Sequence, residues 1–492
     1  MTRHTQNRAS PRRQGASSAG RSRGDAPKPG ARAQIALGWA ALVVVLAGIL
    51  RNGAFEPVAW TILCLATLFI FAVQAVLDIR HGLSRPARMA LWLVLPYGAV
   101  LLWLLLQGRP GFLPGLAHPF WDFGSEGSMP AMSAHPDGGG QVVMRLTCYG
   151  LLFWIFLRSA AAAPRGGLAY IQVLAVFSAA LAIYGMVSLQ LGYNVLLGAD
   201  EKSSILRASF FNRNTFATFA VFGVLASVTS FVQSMSTSAS ASFSGAIRDF
   251  FETFFERGWI YAFSALFGLA AVAMSLSRGG AVAGLLGLVV LAWAQSGRKG
   301  KVPPVVFAIP IVLVGFTVLF MSSGTVERFG GTDASSDSRA AVYGKIVEGI
   351  SDRPWIGHGA GAFQDAFRPY VPPEYARLEW GMAHNSYLEN GFEFGLPAAA
   401  VFYLALASIG WRLLRGVVKR RRNQVIPAFA LSCFAAGSAH ATVDFSLQFP
   451  ALAALFAAIL GIGWGQSFAS RCVSRKGSEA SLKMGNQQRA ET

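Results

Sequence analysis

Charge is scarce in this chain. Asp, Glu, Lys and Arg make up 13% of the 492 residues, against 53% hydrophobic residues and a mean hydropathy of +0.45. That shortage excludes an ordinary soluble protein of several domains and indicates an integral membrane protein. Acid is scarcer than base, 24 residues against 42, which leaves a net charge of +18. In a membrane protein a basic excess marks cytoplasmic loops rather than nucleic-acid binding, so no nucleic acid is expected as a partner. The cysteines Cys64, Cys148, Cys433 and Cys472 lie in apolar runs or beside a basic end, with no close pair at metal-ligand spacing, and imply no disulfide framework. Also missing are a glycine-rich phosphate loop, a His/Cys cluster and the adjacent acids of a metal-dependent sugar-nucleotide enzyme. No cofactor or metal is therefore expected, and no repeat of fixed period is visible.

What is abundant is apolar sequence in runs near the ~20 residues that cross a bilayer. Runs start at Ile35, Phe55, Met89, Val142, Leu168, Phe210, Gly258, Gly279, Val302, Gly391, Ile426 and Phe449, which predicts an all-α polytopic protein of about twelve spans. The expected organisation is a disordered basic cytoplasmic tail (1–33), spans one to nine (34–321), a large loop (322–390), spans ten to twelve (391–468) and a cytoplasmic tail (469–492). With the N-terminus cytoplasmic, the even-numbered turns carry Arg80, Arg85, Arg158, Arg165, Arg298, Lys299, Arg415 and Lys419, and satisfy the positive-inside rule. The large loop then falls on the exoplasmic side. Of the cytoplasmic turns, Ser234 to Ser244 reads as a flexible linker, with Phe250, Phe251, Phe254 and Phe255 after it suggesting an interfacial helix.

Within the large loop, Ala341, Val342, Ile346, Val347 and Ile350 recur at helical spacing with Arg339, Lys345 and Glu348 among them. This predicts an amphipathic helix lying on the bilayer or on the bundle. The glycines and proline of Asp352 to Gly361 predict a turn, and Val371-Pro372-Pro373 another break.

The stretch from Met382 to Gly395 closes the longest polar interval and opens an apolar run, so His384 is expected at a water–lipid boundary. There a neutral imidazole can take a proton from a hydroxyl; the plainer alternative is a structural histidine whose neighbour Asn385 or Ser386 caps the next helix. Glu389 or Glu393 is a candidate to orient the ring. Arg278 stands in an exoplasmic turn, against the positive-inside trend, and Arg207, Arg213, Asn212 and Asn214 crowd the entrance of the sixth span. Arginines so placed suit phosphate oxygens, and together could clamp a diphosphate; snorkelling of Arg278 and helix capping by the asparagines are the alternatives. His440 and Asp444, four apart, are expected on one helix face as a polar pair, the feature that favours a transporter. His358 is expected as a solvated loop residue, and His81, His118 and His135 show no partner pattern.

Four blocks in order, Ala208 to Ala217, Ser275 to Gly280, Arg339 through Gly361 to Gly395, and His440 to Pro450, resemble the O-antigen ligase and polymerase superfamily of bacterial membrane glycan transferases. The most specific is Asp352-Arg353-Pro354-Trp355-Ile356-Gly357-His358-Gly359 followed by His384-Asn385-Ser386-Tyr387-Leu388 and Glu393-Phe394-Gly395; Ala208 and Ala398 stand where glycine is expected. The resemblance implies a helical glycosyltransferase of the GT-C type in the bacterial inner membrane, with both termini cytoplasmic. Its active face is periplasmic, and it acts on a glycan carried by undecaprenyl diphosphate. By motif, His384 is the residue that activates the acceptor hydroxyl, and Arg278 with Arg207 or Arg213 binds the diphosphate. Asn214, Arg339, Asn385, Tyr387 and Glu393 complete the set expected to contact substrate. The acceptor is left open among another glycan unit (polymerase), lipid A core (ligase) and a protein hydroxyl. A polysaccharide transporter or flippase and a non-catalytic scaffold are the competing classes.

Overall fold

The computed structural model describes residues 30–123, 129–163, 166–200, 205–235, 254–296, 305–322, 335–375, 380–420 and 424–468. The chain is a helical bundle, as its composition predicts. Eight helices are long and apolar enough to cross a membrane: α1 (Ala31–Leu50), α2 (Pro57–His81), α3 (Arg85–Gln107), α4 (Pro136–Ala162), α5 (Leu168–Leu191), α6 (Arg213–Ser234 within Arg213–Met235), α8 (Arg278–Ser296) and α13 (Leu396–Lys419). The shorter apolar helices α7 (Trp259–Met274), α14 (Val425–His440) and α15 (Pro450–Gln466) and the helix α9 (Val305–Ser322) fill the remaining predicted positions. A two-residue hairpin, Tyr193–Asn194 with Ala199–Asp200, follows α5.

Two helices form the centre. In α15 every residue is buried, and in α6 the span window is 94% buried. The run Ala-Leu-Ala-Ala-Leu of α15 continues into Gly461, Gly463 and Gly465, and these small residues let neighbouring backbones close in, as in other membrane bundles. A Cβ at Gly461 would collide with the Phe153 carbonyl of α4, and one at Gly463 with Ala430 of α14.

Long-range hydrogen bonds sort the helix ends. Ile49 in the last turn of α1, Asn52 just after it, Gln107 of α3, Leu206 and Ser209 before α6, and Met274 of α7 all join in contacts at one end, the site end. The opposite, basic end holds Arg80, Arg85, Arg88, Arg158, Arg412, Arg415 and Lys419. There Arg158 Nε, buried, meets Asp78 Oδ1, largely buried, at 2.7 Å. Ser234, where the linker is expected to start, still belongs to α6; residues 236–244 of the expected linker and Phe250 and Phe251 of the aromatic stretch lie outside the described residues.

The large loop folds on itself. Helix α10 (Ser335–Asp352), the short α11 (Phe363–Phe367) and α12 (Ser386–Phe394) enclose their own core of Val342, Ile346, Ile350, Phe363, Phe367 and Phe392. The predicted amphipathic helix is thus present, but Val342, Ile346 and Ile350 of its apolar stripe pack on this local core instead of on the bilayer or the bundle, and Val347, expected in the stripe, is exposed. The apolar run starting at Gly391 is also divided. Gly395 adopts φ 80°, and a Cβ there would meet the Trp355 carbonyl at 2.6 Å, so α12 ends and α13 begins as a separate helix.

Candidate functional site

His384 sits in the bend before α12 with φ 52°, a left-handed conformation rare outside glycine. The bend is fixed from both sides. The Tyr343 hydroxyl of α10 donates to the His384 carbonyl at 2.9 Å, and the Ala383 N–H donates to Glu389 at 2.7 Å. Asn385 caps α12, its Oδ1 accepting from the N–H groups of Tyr387 (3.0 Å) and Leu388 (3.1 Å). The predicted helix cap is therefore formed by Asn385, and it holds His384 at the first turn.

The bend is docked on the segment after α14. The Ser386 N–H donates to the Ala441 carbonyl at 2.9 Å, the Ser386 hydroxyl to the Asp444 carbonyl at 3.3 Å, and the Tyr387 hydroxyl to the Ser438 carbonyl at 2.9 Å. The His384 ring stands edge-on to Phe445, centroids 4.7 Å apart at 74°, and Phe445 stacks in turn on Phe449.

The same segment holds α6. Asp444, fully buried, accepts from Asn214 Nδ2 at 2.9 Å and from the Ser446 hydroxyl. His440 Nδ1 is 2.6 Å from the Thr218 hydroxyl. This corrects the expectation of a His440–Asp444 pair on one helix face: α14 ends at His440, Asp444 lies beyond it, and each reaches a different residue of α6. Arg213 is the first residue of α6, whose N-terminus Asn212 caps through the Asn214 N–H at 2.7 Å. Arg278 is the exposed first residue of α8, and Ser277 Oγ accepts the Gly280 N–H at 3.2 Å. The first turn of α8 packs on both partners: a Cβ at Gly279 would stand 3.0 Å from His440 Nε2, and one at Gly280 2.7 Å from Ala217 of α6. Two neighbouring helix N-termini, each opening on an arginine, thus meet the segment that carries the His384 bend. Helix N-termini and guanidinium groups both favour an anion.

Arg207 is half-buried in the turn segment before α6, which is held by Leu206 N–H to the Met274 carbonyl (3.0 Å) and Asn194 Nδ2 to the Ala208 carbonyl (2.6 Å). Ala208 adopts φ 46° and Leu276 φ 50°, so backbone strain recurs beside Arg207 and Arg278 as well as at His384. The resemblance puts glycine at 208, and the chain adopts a left-handed conformation there with alanine. Arg339 lies on α10, and its side chain lies outside the described residues.

Glu389 and Glu393 share a face of α12 and are buried. Glu389 accepts the Ala383 N–H, and Glu393 accepts the Phe363 N–H at 3.0 Å. Burial raises the carboxyl pKa of both, and Glu389 is raised further by the neighbouring Glu393.

Two corrections concern histidines. His358 is buried, not solvated: its ring stacks on Phe392 at 4.0 Å, and its Nδ1 is 2.8 Å from His118 Nε2. His118 and His135, which show no partner in the sequence, have one each, His135 Nδ1 lying 3.0 Å from Asp365. Around His358 the turn from Asp352 to Gly361 locks the end of α12, with the Gly357 N–H, His358 N–H and Gly359 N–H bonded to Arg353, Phe392 and Glu393 carbonyls. Gly357 has φ 75°, and a Cβ there would collide with the Glu393 carbonyl, so only glycine fits. No short-range pattern announces the His118–His358 pair, because 240 residues separate its members.

Fold and site together define a polytopic helical membrane protein with a histidine, arginines and asparagines gathered at one end of its bundle. Residues 263–403 match the family model described as O-antigen ligase, so this segment is similar to the O-antigen ligase and polymerase family. The matched segment contains Arg278 and His384, whereas Asn214, His440 and Asp444, which the fold attaches to them, lie outside it. No curated protein matches the chain. The match supports a membrane glycan transferase of the O-antigen ligase/polymerase type.

Proposed function

We propose that the protein transfers a saccharide from undecaprenyl diphosphate to an acceptor hydroxyl at the periplasmic face of the bacterial inner membrane, by direct displacement. The acceptor oxygen attacks the anomeric carbon, its proton passes to His384, the bond from the anomeric carbon to the diphosphate oxygen breaks, and undecaprenyl diphosphate leaves. Arg278 with Arg207 or Arg213, beside the N-termini of α6 and α8, stabilises the charge that develops on the departing diphosphate. Asn214 and Asn385 hold the two halves of the site in register, Tyr387 anchors the His384 bend, Glu393 ties α12 to Phe363, and Arg339 is assigned to substrate contact by motif.

The observation that carries this reading is the single segment 440–446 to which the His384 bend, the start of α6 and the start of α8 are all attached. The basic residues of the opposite end favour a periplasmic site end through the positive-inside rule. The test is glycan transfer by purified protein in nanodiscs supplied with an undecaprenyl diphosphate glycan. His384→Ala is expected to insert and fold normally and to lose transfer; wild-type turnover by this variant overturns the assignment of the base.

A further inference from the structure

The cations of the basic end are not equivalent. Arg158 is buried and meets the Asp78 carboxylate at 2.7 Å. Arg412, on α13, is half-buried too, yet no carboxylate stands within ion-pair distance of it among the described residues. Its guanidinium lies 3.5 Å over the Phe468 ring, and Nη2 donates to the Ser467 carbonyl at 2.9 Å. The charges acting on it are those of Arg85 and Arg415, both of its own sign. Arg85 is brought there by the start of α3: the Pro86 carbonyl accepts from Trp464 Nε1 at 3.0 Å, and the Trp464 ring faces Phe468 with centroids 6.2 Å apart.

Three guanidinium groups from two helices therefore share one place. Water screens the exposed Arg85 and Arg415, but part of the surroundings of Arg412 is filled by Phe468 and the end of α15. That helix end, where the Ser467 carbonyl accepts from Arg412, supplies only roughly half a negative charge. Arg420, at the end of α13, adds a buried cation whose Nη1 donates to the neutral Gln466 Oε1 at 3.3 Å. Repulsion in such a cluster falls when an anion joins it, and the planar fork of a guanidinium suits phosphate oxygens.

The position of the cluster selects among phosphates. Arg415 lies 5.1 Å over the ring of Trp411, which is exposed, and an exposed tryptophan beside an arginine marks the headgroup level of a bilayer. Leu404, also exposed, lies two turns of α13 further into the span on the same face, about 10 Å away at 1.5 Å per residue. An anion held by the arginines thus stands at the head of an apolar stripe, as the phosphate of a phospholipid does. A soluble phosphate has no use for the stripe. The positive-inside rule turns this end toward the cytoplasm, whose leaflet carries anionic lipid.

We propose that Arg85, Arg412 and Arg415 form a binding site for an anionic phospholipid of this leaflet, its phosphate among the three guanidinium groups and an acyl chain along Trp411 and Leu404. The bound headgroup ties the start of α3 to the ends of α13 and α15. The site lies at the opposite end of the bundle from His384 and does not depend on the transferase reading.

The experiment uses the full chain, purified in detergent, with phosphatidylglycerol and phosphatidylcholine of the same acyl chains as probes. Lipid retained on the protein is read by native mass spectrometry, and stability by the thermal midpoint. Phosphatidylglycerol is expected to stay bound and to raise the midpoint, and phosphatidylcholine to do neither. Each arginine neutralised is expected to weaken binding about fivefold, so Arg85→Gln with Arg415→Gln weakens it about 25-fold. Both side chains are exposed, so the packing of the bundle is left intact; should the double variant misfold, Arg85→Gln alone carries the test. Arg80→Gln removes an equal, exposed charge at the same end but outside the cluster, and is expected to leave binding unchanged. Equal retention of phosphatidylcholine, wild-type affinity in the Arg85 and Arg415 variants, or as large a loss in Arg80→Gln would each overturn the proposal. Inorganic phosphate that raises the midpoint as far as phosphatidylglycerol does would show a free-anion site and overturn the lipid assignment.

Discussion

The Asn214 amide donates to the Asp444 carboxylate at 2.9 Å across 230 residues of sequence, and joins the start of α6 to the segment on which the His384 bend rests. Asp444 also accepts from the Ser446 hydroxyl and presents its carbonyl to Ser386. Asp444→Ala leaves the Asn214 amide and the Ser446 hydroxyl without this acceptor in a fully buried place, at a cost of about 1–3 kcal/mol. The expected outcome is a lower thermal midpoint together with at least a tenfold fall in glycan transfer. Asp444→Asn, which keeps the shape and one acceptor oxygen, is expected to lie between. Thermal unfolding and transfer assays on the same preparations check both.

The left-handed backbone at His384 separates the imidazole from the fold. An L-residue there is disfavoured by roughly 1–2 kcal/mol, which glycine avoids. His384→Gly is therefore expected to be at least as stable as the parent, while losing about 10²–10⁴-fold in transfer if the imidazole is the general base. Added imidazole is expected to restore part of the rate to His384→Gly and none to a variant that also lacks Arg278. A large drop in thermal midpoint would show that the side chain is structural.

How much of this is legible in the sequence follows the range of the interaction. The spans are readable because crossing a bilayer demands a continuous apolar run, and the His384 motif because a polar interval ends there. The helix cap of Asn385 is legible as an alternative, since capping is set within four residues. The Asn214–Asp444 and His118–His358 bonds are not, because nothing local in either partner encodes the other. Nor is the local core of the large loop: the stripe of α10 is identical whether it faces lipid, the bundle or Phe392.

The His118–His358 pair makes the large loop sensitive to acid. The Phe120 N–H donates to His118 Nδ1 at 3.1 Å, and the Gly349 carbonyl accepts from His358 Nε2 at 2.9 Å. These fixed ends require His118 Nε2–H to donate to His358 Nδ1, with both rings neutral. Burial is the first cause that holds His118 down to about 3 and His358 to about 4; each also faces Arg353, His118 faces His358, and Asp352 acts oppositely on His358. Both folded values lie below the ordinary ~6.5, so the unfolded loop binds more protons below that pH. The contact is fully stable above about 6.5 and weakens as pH falls toward 4, by about 1.4 kcal/mol per pH unit for each ring. Hydrogen exchange of residues 109–123 and 353–362 is expected to quicken, beyond its intrinsic pH dependence, between pH 7.5 and 5.5. His118→Phe, which removes one of the two titrating rings, is expected to reduce that change, leaving the part due to the buried His358.

At the basic end the buried Arg158–Asp78 pair fixes α2 against α4. Asp78 also accepts from Trp154 Nε1 at 2.8 Å and Gln74 Nε2 at 2.7 Å, and Arg158 donates to the Gly82 carbonyl at 3.0 Å. Every charge is thus matched by hydrogen bonds, the condition under which a buried ion pair is sustained. Asp78→Ala leaves the guanidinium uncompensated among apolar neighbours and is expected to cost about 3–5 kcal/mol. The double variant Asp78→Leu with Arg158→Met removes both charges and is expected to recover most of that loss, since an apolar pair of similar volume is commonly neutral. Because the pair lies at the end of the bundle away from His384, the double variant is expected to keep transfer near the parental rate once folded. A double variant no more stable than Asp78→Ala would show that Gln74, Trp154 and Gly82 supply the stability, and that the charge pair itself supplies little.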